Sequence, residues 1–179
     1  MKKLLNKKYK KIGILGGTFD PPHAGHIHIT KIAIKKLKLN KVIWAIVKQN
    51  PLKQKPYLNV KKRIKLSKII TKKEKKIFVN HLDNKLKSGN TFNLLSYLFR
   101  KNKGKKLFFL IGADNLINFH KWKNWKKIPN FAKIAVFSRS NYSKKALNSI
   151  AAKKLNKKDW IYISCKKINI SSSLIRKFW

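Results

Sequence analysis

Gly16-Gly17-Thr18-Phe19-Asp20-Pro21-Pro22-His23-Ala24-Gly25-His26 collects glycines, a hydroxyl, a carboxylate and two histidines in one short stretch. Those residue types suit binding of an anion, above all a phosphate. Glycines at the end of an apolar run let the main chain come close to a ligand. A helix that starts after them presents unpaired N–H groups and its positive dipole end. His23 and His26 are three residues apart, so they share a face at such a helix start. Gly25 between them removes a side chain that would crowd the phosphate. A metal site would need more ligands, and Asp20 is the one carboxylate close by in sequence. The same stretch without a ligand is an ordinary strand–turn–helix. The order of glycines and both histidines points instead to a phosphate held at a helix start.

Such a turn works only if a strand and a helix hold it. Lys11 to Gly16 reads as a short buried strand, and Ala24 to Leu37 as a helix. Lys41 to Val47 is apolar on both faces, as in a central parallel strand covered by helices. A proline-containing loop, Lys48 to Pro56, leads to a helix from Val60 to Ile70. Further strands are expected at Lys76–Val79, Lys106–Ile111, Ile134–Phe137 and Trp160–Ile163. Asn90 to Lys101 reads as a helix with Thr91 near its start, and Ser171 to Trp179 opens on helix-capping serines. Alternating buried strands and helices predict an α/β fold, a Rossmann-like doubly wound, mostly parallel sheet flanked by helices. No repeat or linker divides residues 1–179, which read as a single domain. Ligands of such sheets bind beyond the carboxyl ends of the strands. Gly16–His26, Asn50–Lys53, Gly112–Asp114 and Ser171–Arg176 all fall there or shortly beyond.

The chain carries a formal net charge of +41, with five acidic residues against 46 basic ones. Only Arg63, Arg100, Arg139 and Arg176 of the basic residues are arginine. Base-reading proteins favour Arg for bidentate contacts, and the lysines here are spread along the whole chain. The charge therefore reads as lysine filling solvated positions, with salt-sensitive attraction to polyanions and no specific nucleic-acid partner. No apolar run approaches the length of a membrane span. Met1 to Lys11 is too basic and too poor in apolar residues for a signal peptide. The lone Cys165 fits a reducing, cytoplasmic setting. Oligomeric state is not legible.

The Gly16–His26 stretch resembles the signature of the His-x-Gly-His nucleotidyltransferase superfamily, and its Gly-Gly-Thr-Phe-Asp-Pro-Pro-His wording is most similar to the nicotinate-nucleotide adenylyltransferases. Ile170-Ser171-Ser172-Ser173-Leu174-Ile175-Arg176 resembles that family's Ile-Ser-Ser-Thr-x-Ile-Arg, with Ser173 in place of the usual Thr. Ile111-Gly112-Ala113-Asp114-Asn115-Leu116 with Phe119-His120-Lys121-Trp122 gives a third match. Asn50-Pro51-Leu52-Lys53 looks like a variant of the loop after the second strand. Where the family has Ser-Tyr-Thr, this chain has Gly89-Asn90-Thr91, and Leu52 stands where many members have His.

The resemblance implies transfer of the adenylyl group of ATP to nicotinate mononucleotide, giving deamido-NAD and pyrophosphate by direct attack on the α-phosphorus. A related acceptor, nicotinamide mononucleotide or phosphopantetheine, is the alternative within the same chemistry. A basic nucleic-acid-binding protein is the alternative of another class. Catalysis would be positioning plus charge neutralisation. His23 and His26 would donate to the ATP phosphates, and Arg176 would fork onto the leaving pyrophosphate. Gly16, Gly17, Thr18, Phe19, Gly25, Ser172 and Ser173 would line the ATP site. Asp114 would either accept from the ATP ribose or cap the helix after it. Thr18 would also bind the mononucleotide phosphate. Trp122 would stack on the pyridine ring, with Trp125 nearby as a competing candidate, and main-chain N–H groups near Thr91 and Lys123 would face the pyridine carboxylate. Lys53 is a candidate phosphate contact, and Arg139 a candidate anion contact. His28, His81 and His120 read as surface or packing residues. Mg²⁺ would arrive with ATP, bridging the phosphates and keeping most of its waters.

Overall fold

The computed structural model describes residues 10–49, 54–82, 86, 90–139, 141–165 and 170–179. Lys53, Leu52 and Gly89 lie outside the described residues.

Six strands form one sheet in the order β3-β2-β1-β4-β5-β6. They are β1 (Lys11–Gly17), β2 (Lys41–Ile46), β3 (Ile77–His81), β4 (Lys106–Gly112), β5 (Lys133–Phe137) and β6 (Trp160–Ile163). Every pairing is parallel, with Gly17 beside Ile46 and Leu15 beside Leu110. The sheet is thus doubly wound, as the buried apolar strands predict, and wholly parallel among the described residues.

Alternate residues of the central strands enter two cores. Ile14, Ile43, Phe109, Ile111 and Val136 pack on one face with Leu94, Leu95 and Leu98. Those leucines come from α3 (Thr91–Lys101). Trp44, Ile46, Leu110 and Phe137 pack on the other with Ala33 of α1 (Ala24–Leu37). This period-two sharing is why each central strand reads as a continuous apolar run. α2 (Val60–Ile70) is capped by Asn59, whose side chain accepts from the Lys62 N–H. Asn90, not Thr91, caps α3 by accepting from the Asn93 N–H at 2.9 Å.

The helix expected after Asp114 is α4 (Ala113–Ile117), while α5 (Ser143–Leu147) and α6 (Ile150–Lys154) have no counterpart in the sequence reading. Each has five residues, too few to show a helical period. α7 (Ser172–Arg176) starts where the serines predict, with Ser171 accepting from the Leu174 N–H at 3.1 Å. Among the described residues, no helix is long and apolar enough to cross a membrane.

β1 and β4 lie side by side at the centre, while the chain winds outward to β3 in one direction and to β6 in the other. The crevice this leaves at their carboxyl ends is where ligands of doubly wound sheets bind.

Candidate active site

A cavity of about 1160 Å³ opens at that crevice. Single small ligands usually occupy roughly 300–1,000 Å³, so it has room for two nucleotides. It is lined by Gly16, Gly17, Thr18, Phe19, His23, Gly25, His26, Thr91, Asp114, Trp122, Lys123, Ser172, Ser173 and Arg176. The residues singled out from the sequence as binding or catalytic candidates lie here, apart from the competing Trp125, which does not line the cavity, and Lys53, which is outside the described residues.

The turn after β1 does not rely on its glycines for its unusual backbone. Its left-handed residue is Phe19, at φ 51°, and neither Gly16 nor Gly17 has a positive φ. A bulky residue in that region is held only by its surroundings. The Phe19 ring is buried, stacked on Trp44 at 4.8 Å and tilted against His26 at 4.7 Å. The indole N–H of Trp44 donates to Thr30 Oγ1 at 2.9 Å, and that hydroxyl donates to the His26 carbonyl at 2.8 Å. The first turn of α1 is thereby fixed to β2 through fully paired buried groups.

His23 is the cap of α1. Its Nδ1 accepts from the Gly25 N–H at 3.1 Å, and His26 Nδ1 accepts from the His23 N–H at 3.2 Å. This is a capping box built from two histidines. A neutral imidazole that accepts through Nδ1 carries its proton on Nε2. The ring centroids are 4.0 Å apart. Burial pushes the His23 imidazole down to about 4, and the positive charge of Arg139 pushes it the same way. Gly25, expected from the sequence to leave room for phosphate, makes room for a side chain of the protein itself. A Cβ there would come within 2.8 Å of His23 Cε1 and 3.2 Å of Ile170 Cγ2, so the absent side chain is what lets the His23 ring lie where it does.

Two residues that the sequence left without a site role hold the turn. The Asp20 carboxylate accepts from the Tyr57 and Leu58 N–H groups at 2.7 and 2.8 Å. Arg63 of α2 is buried and donates to the main-chain carbonyls of Thr18, Val47, Lys48 and Leu58. Arg176 donates from Nη1 to the Asp20 carbonyl, lies 3.6 Å from its carboxylate, and reaches Ser173 Oγ from Nη2 at 3.4 Å. A guanidinium has five N–H donors, so these contacts do not exhaust it. Ser172 Oγ donates to the Pro21 carbonyl at 2.9 Å. Its hydroxyl therefore docks α7 onto the turn.

Asp114 sits in the first turn of α4 but makes no cap; Gly112 is the cap residue. One carboxylate oxygen accepts from Arg139 at 2.7 Å, while Oδ1 is buried with no hydrogen-bond partner. A Cβ on Gly112 would collide with that same Oδ1. Trp122 packs edge-on against Phe109 and tilted against Phe119, at 6.1 and 5.0 Å, with part of it in the cavity. Trp125 packs on Phe119 and is not among the lining residues, which separates the two tryptophans. Arg139, Tyr142 and Cys165 also line the cavity. Ser138 Oγ accepts from the Cys165 N–H at 2.9 Å. Among the described residues, no group of three or more His, Cys, Asp or Glu side chains could hold a metal ion.

The Cytidylyltransferase-like family pattern matches residues 14–178. The chain is 48% identical over 173 residues to the "Probable nicotinate-nucleotide adenylyltransferase" of Pelagibacter ubique, covering 97% of this chain and 96% of that one. It is 34% identical over 143 residues to the protein of the same name from Cereibacter sphaeroides, covering 80% and 75%. The fold is similar to Plasmodium falciparum nicotinic acid mononucleotide adenylyltransferase complexed with NaAD, with TM-score 0.75 at 23% identity, covering 94% of this chain and 83% of that one.

Proposed function

The chain belongs to the cytidylyltransferase-like family, alongside proteins named nicotinate-nucleotide adenylyltransferase, and from that premise we propose that it transfers the adenylyl group of ATP to nicotinate mononucleotide. The products are deamido-NAD and pyrophosphate, a step of NAD biosynthesis. One observation carries the reading: the mutually capped histidines line a cavity that also holds Asp114, Trp122 and Arg176.

A phosphate oxygen of the mononucleotide attacks the α-phosphorus of ATP. The bond from that phosphorus to the oxygen bridging to the β-phosphate breaks, and pyrophosphate leaves. No protein atom is bonded along the way, so the chain's task is to align the reactants and meet the negative charge that grows on the phosphoryl oxygens. His23 and His26 donate from Nε2, and their Nδ1 caps keep those rings from turning. Arg176 meets the leaving group. Asp114 Oδ1, buried and without a partner, accepts from a ribose hydroxyl of ATP. Trp122 stacks on the pyridine ring, with main-chain N–H groups near Thr91 and Lys123 facing its carboxylate. Thr18 contacts the mononucleotide phosphate.

The donor set bears on the metal. Asp20 is engaged by two N–H groups and Arg176, and Asp114 by Arg139. That fits a Mg²⁺ carried mainly by the triphosphate and its own waters. When bound, it would neutralise charge on the phosphate oxygens. We place the reaction in the cytoplasm, where a thiol such as Cys165 stays reduced.

The test is an acceptor panel with ATP and Mg²⁺, following pyrophosphate release. Nicotinate mononucleotide should be used at least tenfold better than nicotinamide mononucleotide or phosphopantetheine. Equal or better use of the amide would overturn the acceptor assignment, and no release with any acceptor would overturn adenylyl transfer.

A further inference from the structure

Among the described residues, the charged side chains that are buried are Asp20 and Arg63, and both bond to the phosphate turn or its anchor. Arg63 is 1% exposed. A guanidinium in such a place is tolerated only when its N–H groups are met, and Arg63 donates to four main-chain carbonyls. Nη1 donates to Thr18 at 2.5 Å and Val47 at 2.8 Å, Nη2 to Lys48 at 2.8 Å, and Nε to Leu58 at 3.0 Å. Thr18 follows β1, Val47 and Lys48 follow β2, and Leu58 precedes α2. One side chain therefore ties together three chain segments at the carboxyl edge of the sheet.

What it holds is the strained point of the site. Phe19, at φ 51°, lies between Thr18 and Asp20. On one side the Thr18 carbonyl is fixed by Arg63; on the other the Asp20 carboxylate is fixed by the Tyr57 and Leu58 N–H groups. Leu58 belongs to both clamps, since its N–H serves Asp20 and its carbonyl serves Arg63. The Phe19 ring in turn lies 4.7 Å from His26. The geometry points to Arg63 as a positioning residue for adenylyl transfer, acting through Thr18 and Phe19 to set the His26 ring without touching either substrate. Lysine cannot replace it. A single ammonium lacks the planar fork that reaches carbonyls on several sides at once.

This assignment rests on the adenylyl-transfer reading. The experiment measures kcat and KM for both substrates in Arg63→Lys and Arg63→Gln, with folding checked by circular dichroism. A displaced donor costs turnover more than affinity. Both variants should therefore lose on the order of 10- to 100-fold in kcat, with each KM within about threefold of the parent. A loss under fivefold in either folded variant would overturn the assignment, as would a raised KM with kcat kept. Should neither variant fold, the parent carries the test. Its few arginines make the Arg63 Nε–H signal separable by ¹⁵N NMR. That signal should shift when a non-hydrolysable ATP analogue binds, and an unmoved signal in the bound protein overturns the coupling. A parent inactive with every acceptor would overturn the reaction instead, and the NMR measurement would still judge the link between Arg63 and the phosphate turn.

Discussion

His23 and His26 cap one another: the His23 N–H donates to His26 Nδ1 at 3.2 Å, and His23 Nδ1 takes the N–H groups of the turn that His26 completes. The pair fixes its own tautomers, so the same contacts that start α1 prepare two Nε2 donors. His26→Ala removes a cap partner and a donor together. Turnover should fall about 10²–10³-fold, and the melting temperature should also drop, because a lost cap costs about 1 kcal/mol. Steady-state kinetics beside a thermal melt separates the two, and near-normal turnover would remove His26 from the chemistry.

The His23 ring should titrate near pH 4 rather than near 6.5. Its folded value lies below its unfolded one, so its contribution to stability is present above about pH 6.5 and is lost as pH falls toward 4. Arg139→Gln takes away one of the two causes and should move the midpoint up by less than the whole shift, since burial is the larger cause. Proton NMR of the free protein reads both midpoints. A His23 midpoint of 6 or above in the parent (well clear of about 4) would contradict this account of the cap.

Asp114 Oδ1 is buried without a partner. Asp114→Ala should raise the KM for ATP by about tenfold or more, the loss of a hydrogen bond to a charged group. The parent should discriminate against 2′- or 3′-deoxy-ATP, and the variant should not. Discrimination that survives the substitution would place the ribose elsewhere.

Trp122→Ala and Trp125→Ala should behave differently. Loss of stacking on the pyridine ring is worth about 1–3 kcal/mol, so the first should raise the KM for the acceptor by roughly 5- to 150-fold. The second, which packs on Phe119 outside the cavity lining, should lower the melting temperature and leave the KM alone. Equal kinetic effects would mean that the tryptophans do not divide this way.

Gly25→Ala brings a methyl within 2.8–2.9 Å of the His23 ring. The ring must move, and turnover should fall by about tenfold or more even with α1 intact by circular dichroism. Unchanged turnover would show that the ring position is not critical.

Much of this architecture was legible in the sequence. The central strands are apolar on both faces because each feeds two cores, and α1 and α2 run over the residues that their patterns indicate. The glycine–histidine turn could be picked out because its residues lie close together in the sequence, and the structure places them on the cavity. What holds that turn was not legible. Arg63 and Asp20 act on main-chain groups up to 45 residues away, and a carbonyl or N–H leaves no mark in the sequence. Phe19, not a glycine, takes the left-handed conformation because its ring is clasped by Trp44 and His26. One signal was available. Lysine supplies nearly all the positive charge, yet Arg63, Arg139 and Arg176 all gather at this crevice, while Arg100 on α3 bonds to Ser96 on the exposed surface. Where lysine is the default cation, arginine marks a need for forked geometry.

The contacts of α7 with the turn, Arg176 to Asp20 and Ser172 to Pro21, join residues more than 150 positions apart. During synthesis at about 5–20 residues per second, the glycine–histidine turn leaves the ribosome many seconds before its partners. A nascent chain can pair its early strands, but its phosphate pocket stays open on one side until Arg176 arrives. The wall that α7 adds to the cavity is thus a late, long-range contribution, made only after every strand of the sheet has been synthesised.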